Sequence, residues 1–158
     1  MFRELQRKNK QISYEECIDI LKNEKRGVFS VLGDEGYPYG MPMNHYYCEE
    51  DGCIYFHCGK EGHRTDSLKK HEKASFCVYD SGEKIQGQWA LSFRSVIVFG
   101  KTEIMEETKS VSDICYELSR KFTDDENYIK NEIDCFAENT ALIKLVPEHI
   151  CGKKITEA

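Results

Sequence analysis

The sequence predicts a mainly β protein, an antiparallel β-barrel with α-helices at its periphery. Extended apolar stretches follow one another through tight turns that contain glycine, which is the pattern of neighbouring antiparallel strands. Segments with helical spacing are added at the edges of this series, and the sequence lacks the β–α–β alternation of Rossmann and TIM folds. With 158 residues, the chain suits a single domain over residues 1–158.

The first elements are a helix and a β-hairpin. The motif Ser-Tyr-Glu-Glu, which begins at Ser13, has the form of a capping box and predicts a helix over about residues 13–24. Residues 26–32 alternate in part between apolar and polar side chains and lead into a hairpin turn signal at residues 33–36. Residues 37–47 continue as an extended segment, which its prolines restrict to an irregular or edge strand.

The remaining elements are predicted from turn residues, β-prone runs and helical spacing. Residues 95–100 form the most β-prone run, and apolar side chains recur at helical spacing between residues 111 and 122. In chain order, we expect a turn at 49–52, a strand at 53–57, a helix at about 64–71, a strand at 74–79, a loop at 81–87, an extended stretch at 89–105, a helix over 111–122, a helix near 127–137 and a strand at 140–146.

The composition argues against several classes of protein. A hydrophobic content of 40% and a charged content of 32% are typical of a folded globular chain. The net charge of −6, with basic and acidic residues interspersed, argues against a nucleic-acid partner. The apolar runs are far shorter than the ~20 residues of a membrane-spanning helix, and the N-terminus lacks the apolar stretch of a secretory signal. A cytoplasmic protein with no membrane partner is therefore expected.

Eight cysteines are expected to be free, reduced thiols, because the sequence has neither an export signal nor a Cys-x-x-Cys motif. An alternative interpretation is a metal site built from Cys48, Cys53, His57, Cys58 and His63. Strand alternation places Cys53 and His57 on one face and Cys58 on the other, which disfavours a compact tetrahedral shell. No metal site is predicted.

Residues 55–64 have the pattern of a phosphate-binding corner. A short apolar strand gives way to a turn with two glycines, Gly59 and Gly62, and then to the first turn of a helix. Free backbone N–H groups and the helix dipole favour an anion at such a junction. Lys60 and Arg64 add cationic donors there. The alternative interpretation is a solvated basic turn between a strand and a helix.

Residues 37–47 form a second candidate binding segment. Pro42 removes a backbone donor from the strand, so the neighbouring backbone needs other partners. The Asn44 side chain both donates and accepts, which suits the polar edge of a heteroaromatic ring. The alternative is an aromatic-rich strand that packs in the core around a proline bulge.

The two segments, together with residues 1–8 and 93–100, resemble a known family. Residues 35–39 and 41–44, followed by 55–64, are similar to the FMN-binding split barrels related to pyridoxamine 5′-phosphate oxidase, and more narrowly to their nitroimidazole-resistance branch. The resemblance covers nearly the whole chain. It implies a six-stranded antiparallel Greek-key split barrel that forms a homodimer, with an FMN at each end of the subunit interface.

The resemblance also implies a set of FMN-binding residues. The ring would lie beside the Pro-x-Asn strand, and the ribityl phosphate at the glycine-rich corner. The implied residues are Met41, Pro42, Met43 and Asn44 at the ring, His57, Gly59, Lys60, Gly62, His63 and Arg64 at the phosphate, and Ser95 on the long strand near the same pocket. Met43 departs from the aliphatic residue that is more usual before the asparagine.

The function that the resemblance implies is an FMN-dependent oxidoreductase. The flavin would accept a hydride at N5, with NAD(P)H as the expected donor, and would reduce a nitro-aromatic (nitroimidazole-like) or quinone-like small molecule. His45 is the candidate proton donor near the ring, and its alternative is a histidine packed among tyrosines. The resemblance implies that the histidine near the substrate in some members of the family would correspond to His45 or to His57.

Because members of the family also bind haem or a deazaflavin, the fold does not fix the reaction. The alternative function is a non-catalytic flavin- or haem-binding module, a sensor or a carrier. His57 or His63 would then be the candidate haem ligand.

Overall fold

The computed structural model describes residues 1–84, 86–87 and 89–156; the last two residues of the expected 1–158 domain lie outside this description. The helices are α1 (Tyr14–Asn23), α2 (His63–Lys70), α3 (Thr108–Arg120) and α4 (Glu126–Phe136). The strands are β1 (Arg26–Leu32), β2 (Pro38–Asn44), β3 (Tyr46–Tyr47), β4 (Ile54–Gly59), β5 (Lys73–Tyr79), β6 (Glu83–Lys84), β7 (Leu91–Met105) and β8 (Thr140–Thr156).

All of these strands belong to one curled antiparallel sheet. Along the sheet the order is β2-β1-β5-β7-β8-β4-β3, and β6 pairs with β7. The mainly β class and the split-barrel expectation are confirmed. The described strand count differs from six, because β3 and β6 are additional strands of two residues each. The six longer strands correspond to the predicted barrel.

The core lies on the inner face of the curled sheet. Phe56 packs between Phe29 and Phe76, with ring centroids 4.8 Å apart in both pairs, and all three side chains are fully buried. The apolar face of α1 and Leu68 of α2 pack into the same cluster. Helix α1 begins at the predicted capping box, in which Ser13 and Glu16 each accept a hydrogen bond from the other's backbone N–H.

Helix α3 covers part of the outer face. Val111 is fully buried against Tyr55 of β4 and Leu142 of β8. The helices α3 and α4 begin at acidic caps, Glu107 and Asp125, whose carboxylates accept backbone N–H bonds. The outer face of β1, β5, the first part of β7 and the second half of β8 carries no described helix, and exposed apolar side chains lie on it, among them Val28 and Phe99.

Two predicted segments differ in detail. The extended segment 37–47 is divided at His45 into β2 and β3. The last strand continues to Thr156 instead of ending at residue 146, because a β-bulge accommodates the proline: Phe99 pairs with His149 and Gly100 with Pro147, which leaves Glu148 unpaired.

The predicted loop 81–87 contains β6, and its Ile85 lies outside the described residues. Among the described helices, none is both long and apolar enough to span a bilayer.

Candidate functional site

A cavity of about 690 Å³ opens where the two ends of the curled sheet approach each other. One wall is the end of β2, residues 42–44, and the facing wall is the end of β4, residues 57–59. Arg64 contributes from the first turn of α2, and residues of α3 and α4 close the remaining side. The volume lies in the range of small-molecule and cofactor sites.

The guanidinium of Arg64 lies in the corner between β4 and α2. Its Nη1 donates to the thioether sulfur of Met43 at 2.9 Å, which is a weak acceptor. Its Nε is buried and makes no hydrogen bond within the described part of the chain. A buried cationic donor without a strong acceptor is costly, so this corner fits an anionic ligand group.

His57 lies beside this corner in the wall of the cavity. Water reaches its ring through the cavity mouth, but protein surrounds much of it, and this burial lowers the pKa of His57. The charge of Arg64 lowers the pKa further. Neutral His57 therefore adds a hydrogen-bonding imidazole to the corner without adding charge.

Arg26 and Asn44 form the polar part of the β2 wall. They pair across β1 and β2, and Arg26 Nε donates to Asn44 Oδ1 at 2.8 Å. This bond orients the amide: because Oδ1 is engaged by Arg26, the Asn44 Nδ2 group remains as the donor for a ligand. Arg26 is a site residue that the sequence did not indicate, because its place at the cavity depends on the pairing of β1 with β2.

The wall formed by α3 and α4 is mainly apolar. Leu118, Ile133 and Phe136 line it, and the Phe136 side chain is 58% exposed although it belongs to the cavity. Glu132 and Asn139 add polar groups. An apolar wall with an accessible aromatic ring suits a flat ring system. The sequence pattern predicted both helices but gave no signal that they reach the cavity.

The structure brings six of the predicted cofactor-binding residues together in the lining of this cavity and leaves five outside the lining. Pro42, Met43, Asn44, His57, Gly59 and Arg64 line it; Met41, Lys60, Gly62, His63 and Ser95 do not. Met41 packs against the inner core. Ser95 is buried on β7, between Tyr79 and Lys153 in the sheet.

His63 begins α2 but its ring turns away from the cavity. It stacks on Tyr39 with centroids 4.3 Å apart, and its Nε2 lies 3.5 Å from an Asp34 carboxylate oxygen. Gly62, the N-cap residue of the same helix, has φ = 125°, a conformation that favours glycine. Gly62 therefore shapes the corner through its backbone, and His63 anchors the helix start to the turn after β1.

His45 is not placed to donate a proton in the cavity, which corrects that expectation. Its side chain is fully buried, its Nε2 lies 2.7 Å from the Leu21 carbonyl oxygen, and its ring packs edge-on against Phe76. Burial, together with the Lys121 charge, lowers the pKa of His45 to about 3. The imidazole is neutral at pH 7, and its single N–H serves Leu21. His45 is a packed histidine, as in the alternative interpretation, although the aromatic ring that it packs against is Phe76 and not the tyrosines expected there.

The eight cysteines are all free thiols. Within residues 1–84, 86–87 and 89–156, no group of three or more His, Cys, Asp or Glu side chains is arranged to hold a metal ion. Of the five residues considered as a metal shell, His57 and Cys58 line the cavity, while Cys48 and Cys53 close the β3–β4 turn.

The sequence model of pyridoxamine 5′-phosphate oxidase matches residues 13–154. This chain belongs to the pyridoxamine 5′-phosphate oxidase family. The match includes both ends of the sheet that form the cavity and the helices that close it. No curated protein sequence matches the chain.

Solved structures share the fold of this family member. A conserved hypothetical protein from Mycobacterium tuberculosis is similar with a TM-score of 0.80 and 18% identity, over 95% of this chain and 90% of that chain. A candidate 5-nitroimidazole antibiotic resistance protein from Bacteroides thetaiotaomicron has a TM-score of 0.74 and 20% identity, over 92% and 87%. An FAD- and haem-binding protein from Mycobacterium smegmatis has a TM-score of 0.70 and 17% identity, over 94% and 74%.

Proposed function

We propose that this protein is an FMN-dependent oxidoreductase that binds the cofactor in the cavity between β2 and β4. The observation that carries the proposal is the buried Nε of Arg64, which has no acceptor among the described residues at the corner where a strand meets a helix N-terminus. An FMN phosphate would supply that acceptor. The family supports a flavin as the ligand class, and the volume of about 690 Å³ accommodates one.

The role of each residue that would bind FMN follows from its chemistry. Arg64 and His57 would bind the phosphate, and the backbone of Gly59 and Gly62 leaves it room. Lys60, on the same loop, would add a cation. Pro42 and Met43 would lie along the ring, and the Asn44 amide, oriented by Arg26, would donate to an acceptor on the ring edge.

When bound, FMN would supply hydride and electron transfer at its N5 position. We propose NAD(P)H as the donor and a nitro-aromatic or quinone-like molecule as the acceptor. The α3–α4 wall would bind such a flat acceptor against Leu118, Ile133 and Phe136 and exclude water from it. The structural likeness to a candidate 5-nitroimidazole resistance protein supports this acceptor class.

The test of cofactor binding is a titration of purified protein with FMN, riboflavin and FAD, followed by flavin absorbance and fluorescence. We expect FMN to bind more tightly than riboflavin, because riboflavin lacks the phosphate that Arg64 would hold. The variant Arg64→Met should weaken FMN at least tenfold while changing riboflavin affinity little, since a charge-assisted hydrogen bond contributes about 1.5–3 kcal/mol.

The matched control is Arg7→Met, which removes an exposed arginine that does not line the cavity. It should leave the affinities for FMN and riboflavin unchanged. Equal affinity for FMN and riboflavin in the wild type would show that the corner at Arg64 does not bind the phosphate. No flavin uptake at all would refute the proposed flavin-dependent function.

Turnover is tested separately on the flavin-loaded protein. Bleaching of the flavin bands by NAD(P)H and their return on addition of a nitro-aromatic or a quinone is the expected result. Bound flavin that never exchanges electrons in this assay would favour the carrier or sensor alternative. A Soret band after incubation with haem would favour a haem-binding module. This alternative is retained because the fold is similar to that of an FAD- and haem-binding protein.

A further inference from the structure

We propose that Cys48 and Cys53 are a redox-modification site, a reactive dithiol that peroxide converts to a disulfide across the end of the β3–β4 hairpin. The two residues close the turn 49–52, with the Cys48 N–H donating to the Cys53 carbonyl oxygen at 2.9 Å. The pair lies outside the cavity and is independent of the proposed flavin function.

The sheet register places the two thiols directly opposite each other. Tyr46 pairs with Tyr55 and Tyr47 with Ile54, so the next facing pair is Cys48 and Cys53. The pair makes one of the two hydrogen bonds of an antiparallel hydrogen-bonded pair, from the Cys48 N–H to the Cys53 carbonyl oxygen, whereas the Cys53 N–H donates to Asp51 Oδ1. Residues that face each other in such a pair have Cα atoms about 5.5 Å apart. A disulfide requires about 4.4–6.8 Å between Cα atoms. The backbone spacing therefore permits the bond.

The side chains share one face of the hairpin. Cys53 is buried in the cluster that contains Tyr55 and Val111, and Cys48 packs against the same cluster. Facing Cβ atoms in a sheet lie about 4.5–5.5 Å apart, whereas a disulfide draws them to about 3.5–4.5 Å. The hairpin end must close slightly, and a disulfide formed at that cost is easily reduced again.

Of these two thiols, Cys48 is the one that an oxidant reaches first. It is partly exposed and lines a groove of about 350 Å³ between the hairpin and α3. Cys53 is almost fully buried, and its Sγ lies 3.5 Å from the Asp51 carbonyl oxygen. One accessible thiol beside one protected thiol is the arrangement of an attacking cysteine and its resolving partner.

The chemistry balances with hydrogen peroxide as the oxidant. The Cys48 thiolate attacks one peroxide oxygen, the O–O bond breaks, and the hydroxide that leaves takes up the proton released by the thiol, which gives water and a sulfenic acid on Cys48. The Cys53 thiolate then attacks the sulfenic sulfur, the S–S bond forms as the S–O bond breaks, and the second hydroxide leaves as water with the proton that Cys53 released. Two thiols lose two electrons and two protons, and one peroxide becomes two waters.

Cys58 and Cys115 both line the cavity, and the four remaining thiols have no facing cysteine within the described structure. Cys77 and Cys151 both pair with Ile97, one from each side of β7, so two strand spacings of roughly 4.8 Å separate them, which exceeds the reach of a disulfide. Cys135 is exposed on α4. Cys17 packs on the inner face beneath Gly152, opposite to the side on which Cys151 lies.

The test treats the intact protein with a small excess of hydrogen peroxide, counts thiols after denaturation and maps peptides without reduction. The count should fall from eight to six, with one peptide pair joined through Cys48 and Cys53 and a mass loss of ~2 Da. Dithiothreitol should restore eight thiols. Cys48→Ser and Cys53→Ser should each abolish this crosslink.

The matched control is Cys135→Ser, which removes an exposed thiol and should leave the Cys48–Cys53 crosslink intact. The proposal is overturned if the first bond joins other cysteines, if two chains become crosslinked through Cys135 instead, or if Cys48 oxidises to sulfinic acid while Cys53 stays free. Circular dichroism of each variant checks that the serine substitutions leave the fold intact, so that a missing crosslink reports on the thiols.

Discussion

At the scale of single residues, His45 makes the stability of the fold depend on pH. Its imidazole is fully buried against Phe76 and the Leu21 carbonyl, and its pKa in the folded chain falls from the ordinary value of 6.5 to about 3. Between these two values the unfolded chain binds a proton that the folded chain does not. The stabilisation that neutral His45 gives the folded chain is therefore fully present above pH 6.5, and it declines as the pH falls from 6.5 toward 3.

We expect the free energy of unfolding to be about 2 kcal/mol lower at pH 5 than at pH 7.5, because each unit of pKa difference corresponds to about 1.36 kcal/mol. Urea unfolding at both pH values measures it. His45→Gln keeps an N–H for Leu21 but has no imidazole to protonate, so its loss of stability between these pH values should be smaller by that amount. His71→Gln, at an exposed histidine, should retain the wild-type pH dependence, and an equal pH dependence in His45→Gln would contradict the assignment.

At the scale of elements, local sequence signals predicted most of the fold. The capping box at Ser13 predicted the start of α1, and the glycine turns predicted the hairpins, because these signals depend on residues close together in the chain. The sequence does not indicate the second half of β8, because Pro147 signals a strand end. In the structure, a bulge accommodates the proline, so the pairing of β8 with β7 continues beyond it.

The candidate site was predictable only in part, for a related reason. The walls formed by β2 and β4 are contiguous segments with their own chemistry, so the sequence indicated Asn44, His57 and Arg64. The opposite wall, with Phe136, is formed by helices that come to the cavity through tertiary packing, which spacing along the chain does not encode. His45 does not reach the cavity because it lies at the break between β2 and β3, where its ring is buried against Phe76 and the Leu21 carbonyl oxygen.

The N-terminus of α2 depends on Gly62, whose φ of 125° and ψ of 173° lie in a region that is almost restricted to glycine. Gly62→Ala should lower the free energy of unfolding by about 1–3 kcal/mol, and it should weaken FMN binding more than riboflavin binding because the distorted backbone borders the phosphate corner. Thermal unfolding and the flavin titrations measure these two effects.

The control for this substitution is Gly36→Ala. Gly36 also has a positive φ, 76°, and an added Cβ would meet open space at both positions. It should lower stability by about 1 kcal/mol without changing the FMN-to-riboflavin preference. A Gly62→Ala protein with an unchanged preference would show that the corner's backbone does not contact the phosphate.

At the scale of the whole molecule, the outer face of the sheet is a candidate surface for a second copy of the chain. A row of facing residues crosses five strands, from Pro42 through Val28, Cys77 and Ile97 to Cys151. Val28 and Phe99 on this face are 38% and 37% exposed. The described helices leave the row uncovered, and its first member, Pro42, lines the cavity. A copy bound here would border the cofactor site, so we propose a homodimer.

The variant Val28→Glu tests this surface. Light scattering should give the wild type a mass of twice 18.4 kDa and the variant the mass of one chain, because a charge in the centre of an apolar interface cannot be desolvated without a partner. Since the second copy would border the cavity, FMN affinity should fall when the dimer dissociates.

The control variant is Tyr128→Glu, at a 56% exposed tyrosine on α4. It places the same charge outside this face and should leave the mass in solution and the FMN affinity unchanged. A wild type that is monomeric yet binds FMN would show that one chain completes the site without a second copy.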